Sequence, residues 1–151
     1  MKVHEFMSPN PVTIEQDQNL REAYLLMQRH GIRHLPVIDI YDRILGIVSR
    51  NDLYRAIGLR ESRDLASHVD RLERLWAQDV MISPAYSVNA GDDLTVAIDV
   101  MLTNKVGALP VVDDDRRVVG IISEIDMLSL LRDLLQAGAR PAPRNGPAGS
   151  L

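Results

Sequence analysis

The sequence predicts an α/β (α+β) fold made of two tandem β-α-β-β-α repeats, with sheets packed together and helices outside. Three observations predict it. The chain matches itself at a constant offset, each copy sets a helical-period run beside runs of β-formers, and the composition supplies an aliphatic core. Of 151 residues, 46% are hydrophobic and only 4% aromatic. A lobe of some 60 residues buries too little apolar area to stand comfortably alone. Two copies packed sheet to sheet can share a core.

The repeat is read directly. Met7 recurs as Met81, an offset of 74, and the same shift pairs Leu20 with Leu94, Ala23 with Ala97 and Met27 with Met101. It pairs Leu35-Pro36-Val37 with Leu109-Pro110-Val111, Asp39 with Asp113, and Arg43 with Arg117. It continues through Gly46-Ile47 and Gly120-Ile121, Ser49 and Ser123, and Asp52 and Asp126, without a gap.

Each copy opens with a short extended piece, Pro11 to Ile14 and Ala85 to Val88. A helix follows, marked by Leu20, Ala23, Tyr24 and Met27 in the first copy and by Leu94, Ala97, Ile98 and Met101 in the second. Asp17 or Asn19 is placed to cap the first helix, and Asp92 or Asp93 the second. Gly31 ends the first. Two β-runs come next, Leu35 to Ile40 and Ile44 to Ser49, joined by Tyr41-Asp42-Arg43. Their counterparts are Leu109 to Asp113 and Val118 to Ser123, joined by residues 114–117. A last helix starts at Ser49 or Ser123. Between the copies, Leu65, Val69, Leu72 and Trp76 are spaced for one helical face, so a connecting helix is expected over 60–77. The resulting domains are 1–59 and 78–137. A Pro- and Gly-rich tail, 138–151, is expected to be disordered.

Composition narrows the function. A net charge of -4 and the lack of a basic-aromatic stripe argue against nucleic-acid binding. No cysteine is present, so disulfides and thiolate metal sites are excluded and a reducing cytoplasm fits. No apolar run has the length of a signal peptide or a membrane span. His30 and His34 are split by Gly31 and lack an acidic cluster at ligand spacing, so no metal site is expected. Asp113-Asp114-Asp115 reads as a solvated turn. No nucleophile elbow, phosphate loop or dinucleotide fingerprint appears, and an enzyme is not expected.

The motifs resemble one family. Copy one carries Gly31-Ile32-Arg33-His34-Leu35-Pro36-Val37 and Leu45-Gly46-Ile47-Val48-Ser49-Arg50-Asn51-Asp52. Copy two carries Val106-Gly107-Ala108-Leu109-Pro110-Val111 and Val119-Gly120-Ile121-Ile122-Ser123-Glu124-Ile125-Asp126. Their order, spacing and duplication resemble a tandem pair of CBS (cystathionine β-synthase) domains over roughly residues 1–135. The resemblance implies pseudo-two-fold symmetry and two clefts that mix residues of both copies. One would use Thr13, Ile32, Arg33 and His34 with Ser123 and Asp126. The other would use Ser87, Val106 and Gly107 with Ser49 and Asp52. The implied ligand is an adenosyl compound: AMP, ADP, ATP or S-adenosylmethionine. No catalytic cofactor is implied.

The residues suit that chemistry. An ionised carboxylate accepts hydrogen bonds only, and takes both hydroxyls of a ribose. The Arg33 fork suits phosphate oxygens, and His34 can add a donor. Copy two has Gly107-Ala108 at those places, so unequal sites are expected. A plainer reading stands beside it: Ser49-x-x-Asp52 and Ser123-x-x-Asp126 also read as helix capping boxes. The expected function is a cytoplasmic, energy-sensing regulatory module, forming a homodimer and acting on an enzyme or transporter. Leu53, Ile57, Leu128, Leu131, Leu134 and Leu135 are candidates for the dimer contact or for the intramolecular core. The alternative is a structural dimerisation or protein-interaction module with empty clefts.

Overall fold

A computed structural model of the chain describes residues 1–59 and 65–138. In chain order the elements are α1 (Val3–Phe6), β1 (Ser8–Pro9), β2 (Ile14–Glu15), α2 (Leu20–His30), β3 (His34–Ile38), β4 (Ile44–Ser49) and α3 (Arg50–Ala56). After a 3-10 turn at Leu65–His68 come α4 (Val69–Leu72) and α5 (Ala77–Val80). The chain continues through β5 (Val88–Asn89), α6 (Leu94–Asn104), β6 (Ala108–Val112), β7 (Val118–Ser123) and α7 (Glu124–Ala137). The expected tail falls outside the described residues, except Gly138, which caps α7 at φ 58°.

Two compact units result. One is Val12–Ala85, and the other joins Met1–Pro11 to the described residues from Tyr86 onward. In the first, β2 runs parallel to β3 and β3 antiparallel to β4. In the second the sheet order is β1-β7-β6-β5, with β5 parallel to β6 and the other pairs antiparallel. The two hairpins share their register: His34 pairs Ser49 as Ala108 pairs Ser123, and both break register at the next-to-last position.

The segment in front of each repeat closes the sheet of the other. β1 pairs with β7, Ser8 opposite Ile121. Ile82 likewise bridges Ile47 of β4, with Ile47 N–H donating to Ile82 O at 3.1 Å and Ile82 N–H to Ile47 O at 3.0 Å. The hydrogen bonds around α1 and α5 follow the same 74-residue shift. Val3 N–H donates to Asp92 O at 3.0 Å where Ala77 N–H donates to Gln18 O at 2.8 Å. Leu94 N–H donates to Met1 O at 3.0 Å where Leu20 N–H donates to Leu75 O at 2.8 Å.

Each unit has its own apolar core. Ile14, Leu20, Ala23, Leu35, Val37, Val48 and Leu53 form the centre of one, joined by Leu65, Leu72 and Ala77 from the connector. Val3, Phe6 and Met7 join Val88, Ala97, Leu109, Val111 and Ile122 in the other. The helical faces read from the sequence are buried, except that Ile98 is half-buried. The connector departs from one continuous helix. Its described part is a 3-10 turn, a single α-turn and a bend before α5, and Trp76 is 47% exposed at the start of α5. Of the four residues spaced for its apolar face, Leu65 and Leu72 are buried, Val69 is half-buried, and the bend after Leu72 turns Trp76 outward.

The helix caps sort the alternatives left by the sequence. Asn19 caps α2, its side chain accepting from Glu22 N–H at 3.0 Å. Asp93 holds the N-cap position of α6 but makes no side-chain cap bond. Its carboxylate is paired with Lys2 at 2.8 Å instead, and the hydrogen bond and charge of Lys2 hold it below the usual carboxylate range. Gly31 ends α2 at φ 61°, and Lys105 ends α6 at φ 54° in the same left-handed conformation.

Candidate ligand site

The second helix of each repeat begins in the same local device. In the first-repeat unit, β4 runs straight into α3, so Ser49 is both the last strand residue and the N-cap. Asp52 Oδ2 accepts from Ser49 N–H at 2.7 Å and from Ser49 Oγ at 2.9 Å. Asp52 N–H donates back to Ser49 Oγ at 3.3 Å. In the second-repeat unit, Asp126 Oδ2 accepts from Ser123 N–H at 2.9 Å and Oγ at 2.8 Å, and Asp126 N–H donates to Ser123 Oγ at 3.3 Å. Both are reciprocal capping boxes. The plainer reading of Ser-x-x-Asp is therefore present in both units, and each carboxylate already spends one oxygen on its own helix.

The two carboxylates then differ. Asp52 is 4% exposed, the one buried charged residue among those described. Its Oδ1 is in contact with the Arg55 guanidinium, one turn along α3. Asp126 is half-buried on α7, and Ser129 stands where the repeat places Arg55. Arg55 was not singled out in the sequence. The signal was available, because residues three apart on a helix are neighbours and Asp–Arg is the attractive combination.

The anticipated residues fall into two sets. Thr13, Ile32, Arg33, His34, Ser49 and Asp52 lie in Val12–Ala85. Ser87, Val106, Gly107, Ser123 and Asp126 lie in the other unit. Each ligand set implied by the resemblance draws on both units. Within a unit, the segment before Leu-Pro meets the Ser-x-x-Asp of its own repeat. Arg50 N–H donates to Arg33 O at 2.8 Å, and Glu124 N–H to Gly107 O at 3.0 Å. His34 sits opposite Ser49 in the ladder. Arg33 is exposed, whereas Thr13, Ile32 and His34 are half-buried, as are Ser87, Val106 and Gly107.

Copy one gathers cations here that copy two lacks. Arg33, His34, Arg50 and Arg55 correspond by position to Gly107, Ala108, Glu124 and Ser129. Arg50 lies 5.9 Å from the centroid of the Tyr54 ring, and its buried Nε has no hydrogen-bond partner. That donor faces an unmet acceptor requirement. A shallow depression of about 320 Å³ lies elsewhere on the same unit, lined by Glu15, Asp17, Gln18, Asn19, Glu22 and Trp76. None of the anticipated residues lines it.

The candidate dimer residues divide into core and surface. Leu53 and Ile57 are buried in the core, so they are intramolecular and not dimer candidates. On α7, by contrast, Ile125, Leu128, Leu131 and Leu135 are all at least half exposed, and Leu134 is half-buried. Among the described residues no helix is long and apolar enough to cross a membrane, and no cluster of three or more His, Cys, Asp or Glu could hold a metal ion.

Comparison with known proteins agrees with the repeat. The sequence pattern of the CBS domain matches twice, at residues 3–59 and 77–133. An uncharacterised 33.4 kDa protein from Thermofilum pendens is 32% identical over 132 residues, covering 83% of this chain and 44% of its own. The chain thus spans less than half the length of the first curated relatives it matches. Among solved structures, AcuB from Vibrio cholerae is 32% identical, with a TM-score of 0.74 over 93% of this chain and 98% of that one. CBSX2 from Arabidopsis thaliana, in complex with AMP, is 26% identical, with a TM-score of 0.72 over 91% and 98%. The chain belongs to the CBS domain family, as a tandem pair.

Proposed function

We propose that this chain is a ligand-sensing regulatory module that binds adenosyl compounds, with Asp52 and Asp126 as ribose acceptors and Arg33 and His34 turned to the phosphate end. The observation that carries the reading is the twice-built Ser-x-x-Asp start of α3 and α7. Each holds a carboxylate in one fixed orientation at the end of a Gly-Ile strand. The AMP complex of CBSX2, 26% identical to this chain, supports an adenine nucleotide as the ligand class. AMP, ADP, ATP and S-adenosylmethionine all present the same ribose diol. The cations of copy one favour the phosphorylated members, and the orphan Arg50 Nε supports an anion there. A ligand of this kind regulates only by binding two conformations of the chain, or of an assembly, unequally. The output falls on an enzyme or transporter of the same cytoplasmic compartment, as energy sensing would require.

Thermal unfolding of nucleotide-stripped protein tests the reading, with saturating AMP, ATP and S-adenosylmethionine against ligand-free controls. Ligand at a hundred times its dissociation constant stabilises by about 2.7 kcal/mol, which raises the midpoint by several degrees in a chain of this size. The shift should vanish for Asp52→Ala or Asp126→Ala, according to which site carries it. No shift with any of the three refutes the reading.

The exposed stripe on α7 favours a second reading, a dimerisation or protein-interaction module. An apolar row along a 14-residue helix is a surface that association would cover. The two readings are compatible, since a sensing module can also pair as a homodimer. Sedimentation of Leu128→Glu against the unaltered chain separates them from a monomeric sensor.

A further inference from the structure

The two Ser-x-x-Asp devices share the same capping hydrogen bonds, and at Asp52 the second carboxylate oxygen has a charged partner of its own. In both, Oδ2 is taken by the serine N–H and hydroxyl. A ribose diol arriving at Asp52 must therefore use Oδ1, and Oδ1 is where the Arg55 guanidinium rests. The Arg55 side chain is 68% exposed, so it can swing into water, while Asp52 is 4% exposed and cannot follow. The pair is thus a cover over a fixed acceptor. Copy two holds Ser129 at that position, a short neutral side chain unable to form the same ion pair.

We propose that Arg55 is a built-in competitor for the ribose at Asp52, so that this carboxylate accepts a nucleoside only when the guanidinium has moved off. This rests on the adenosyl reading above and deepens it by making Arg55 the residue that controls access to Asp52. The competition lowers the apparent affinity by the fraction of time the cover is closed. An ion pair with one exposed partner corresponds to a factor of about three to five.

Adenosine is the probe, because it presents the diol without a phosphate that Arg55 could attract. Calorimetric titration compares the full chain, Arg55→Ser, Asp126→Asn and Asp126→Asn/Arg55→Ser, with melting curves to confirm that each is folded. Asn at 126 keeps an acceptor for the capping bonds and leaves Asp52 as the intact carboxylate. Removing Arg55 in that background should tighten adenosine binding about threefold to fivefold. Added salt should narrow the gap by screening the pair. Equal or weaker binding by the double variant overturns the proposal alone. So does binding by the unaltered chain that both Asp126→Asn variants lose. If neither the unaltered chain nor Arg55→Ser binds adenosine, the adenosyl reading falls, and the competitor falls with it.

Discussion

Replacing Gly46 by alanine tests how tightly the segment before the second repeat closes the first-repeat sheet. A Cβ there would stand 2.8 Å from both the Ile82 carbonyl oxygen and Met81 Sδ, and 3.0 Å from Met81 Cγ. Comfortable contacts between carbon atoms lie at about 3.5–4.0 Å. The sulfur can move with its side chain. The Ile82 carbonyl is held by the N–H of Ile47, and Ile82 N–H is tied to Ile47 O. Relief therefore means lengthening or losing one of two bridge hydrogen bonds, each worth about 1 kcal/mol net. The overpacking itself adds about 1–3 kcal/mol. Removing a glycine from the unfolded chain returns about 0.4–1 kcal/mol. The expected net loss is about 2 kcal/mol, or about 4–8 °C in the midpoint for a chain this long. Circular dichroism melting measures it. Gly120→Ala supplies the contrast. There the tightest contact is Met7 Sδ, with Ser8 O at 3.2 Å, so most of the clash is with a side chain. Shortening Met7 to alanine should relieve part of the Gly120→Ala loss, whereas shortening Met81 should leave most of the Gly46→Ala loss. A melting point for Gly46→Ala at or above that of the unaltered chain would refute the reasoning.

Three further outcomes are expected. Phe6→Ala should cost about 3–5 kcal/mol, because the ring is 4% exposed in the core of the second-repeat unit; urea unfolding checks this. Lys105→Gly should gain up to about 1 kcal/mol, since Lys105 holds φ 54° at the end of α6 where the first repeat has Gly31; a raised midpoint is the readout. The third concerns acid. Partial desolvation pushes the Asp39 carboxyl up, but hydrogen bonds from Arg43 and Tyr41 N–H and the Arg43 guanidinium outweigh it and hold the group below 3.8. Asp93 is held below the same value by Lys2. Groups lowered on folding lend stability that is complete above their unfolded value and disappears as pH falls through the folded one. Stability should therefore decline below about pH 4, less steeply in Asp39→Asn, and carboxyl resonances of Asp39 and Asp93 should titrate below 3.8.

The sequence made local features legible because their causes are local. Leu20, Ala23 and Met27 announce the buried face of α2 by spacing alone, and Gly31 marks its end. The Ser49 and Ser123 capping boxes need only a four-residue window. What stayed hidden depends on partners far along the chain. Nothing in the run Met7-Ser8-Pro9 says that it pairs with Gly120 and Ile121, since a two-residue strand has no period to read. Asp93 looked like a cap until Lys2 took its carboxylate. At the candidate site, the Asp positions were visible as a motif, but the contact of Arg55 with Asp52 was not, because the repeat draws attention to what the copies share. Ser129 at the position equivalent to Arg55 is a difference, and differences between copies are where the proposed asymmetry would reside.

The exchange of leading segments makes the two repeats dependent on each other in a way that neither sheet reveals by itself. Residues 1–11 leave the ribosome long before β7 exists to receive them, and β4 waits for Ile82. Cutting the chain at the apparent repeat boundary, before residue 77, would strip β4 of its cross-strand neighbour and leave an exposed edge open to other chains. A lone copy could satisfy that edge by borrowing the leading segment of a second molecule. Joining two copies head to tail turns that borrowing into an intramolecular event at high effective concentration. Duplication in this chain is a covalent form of strand exchange.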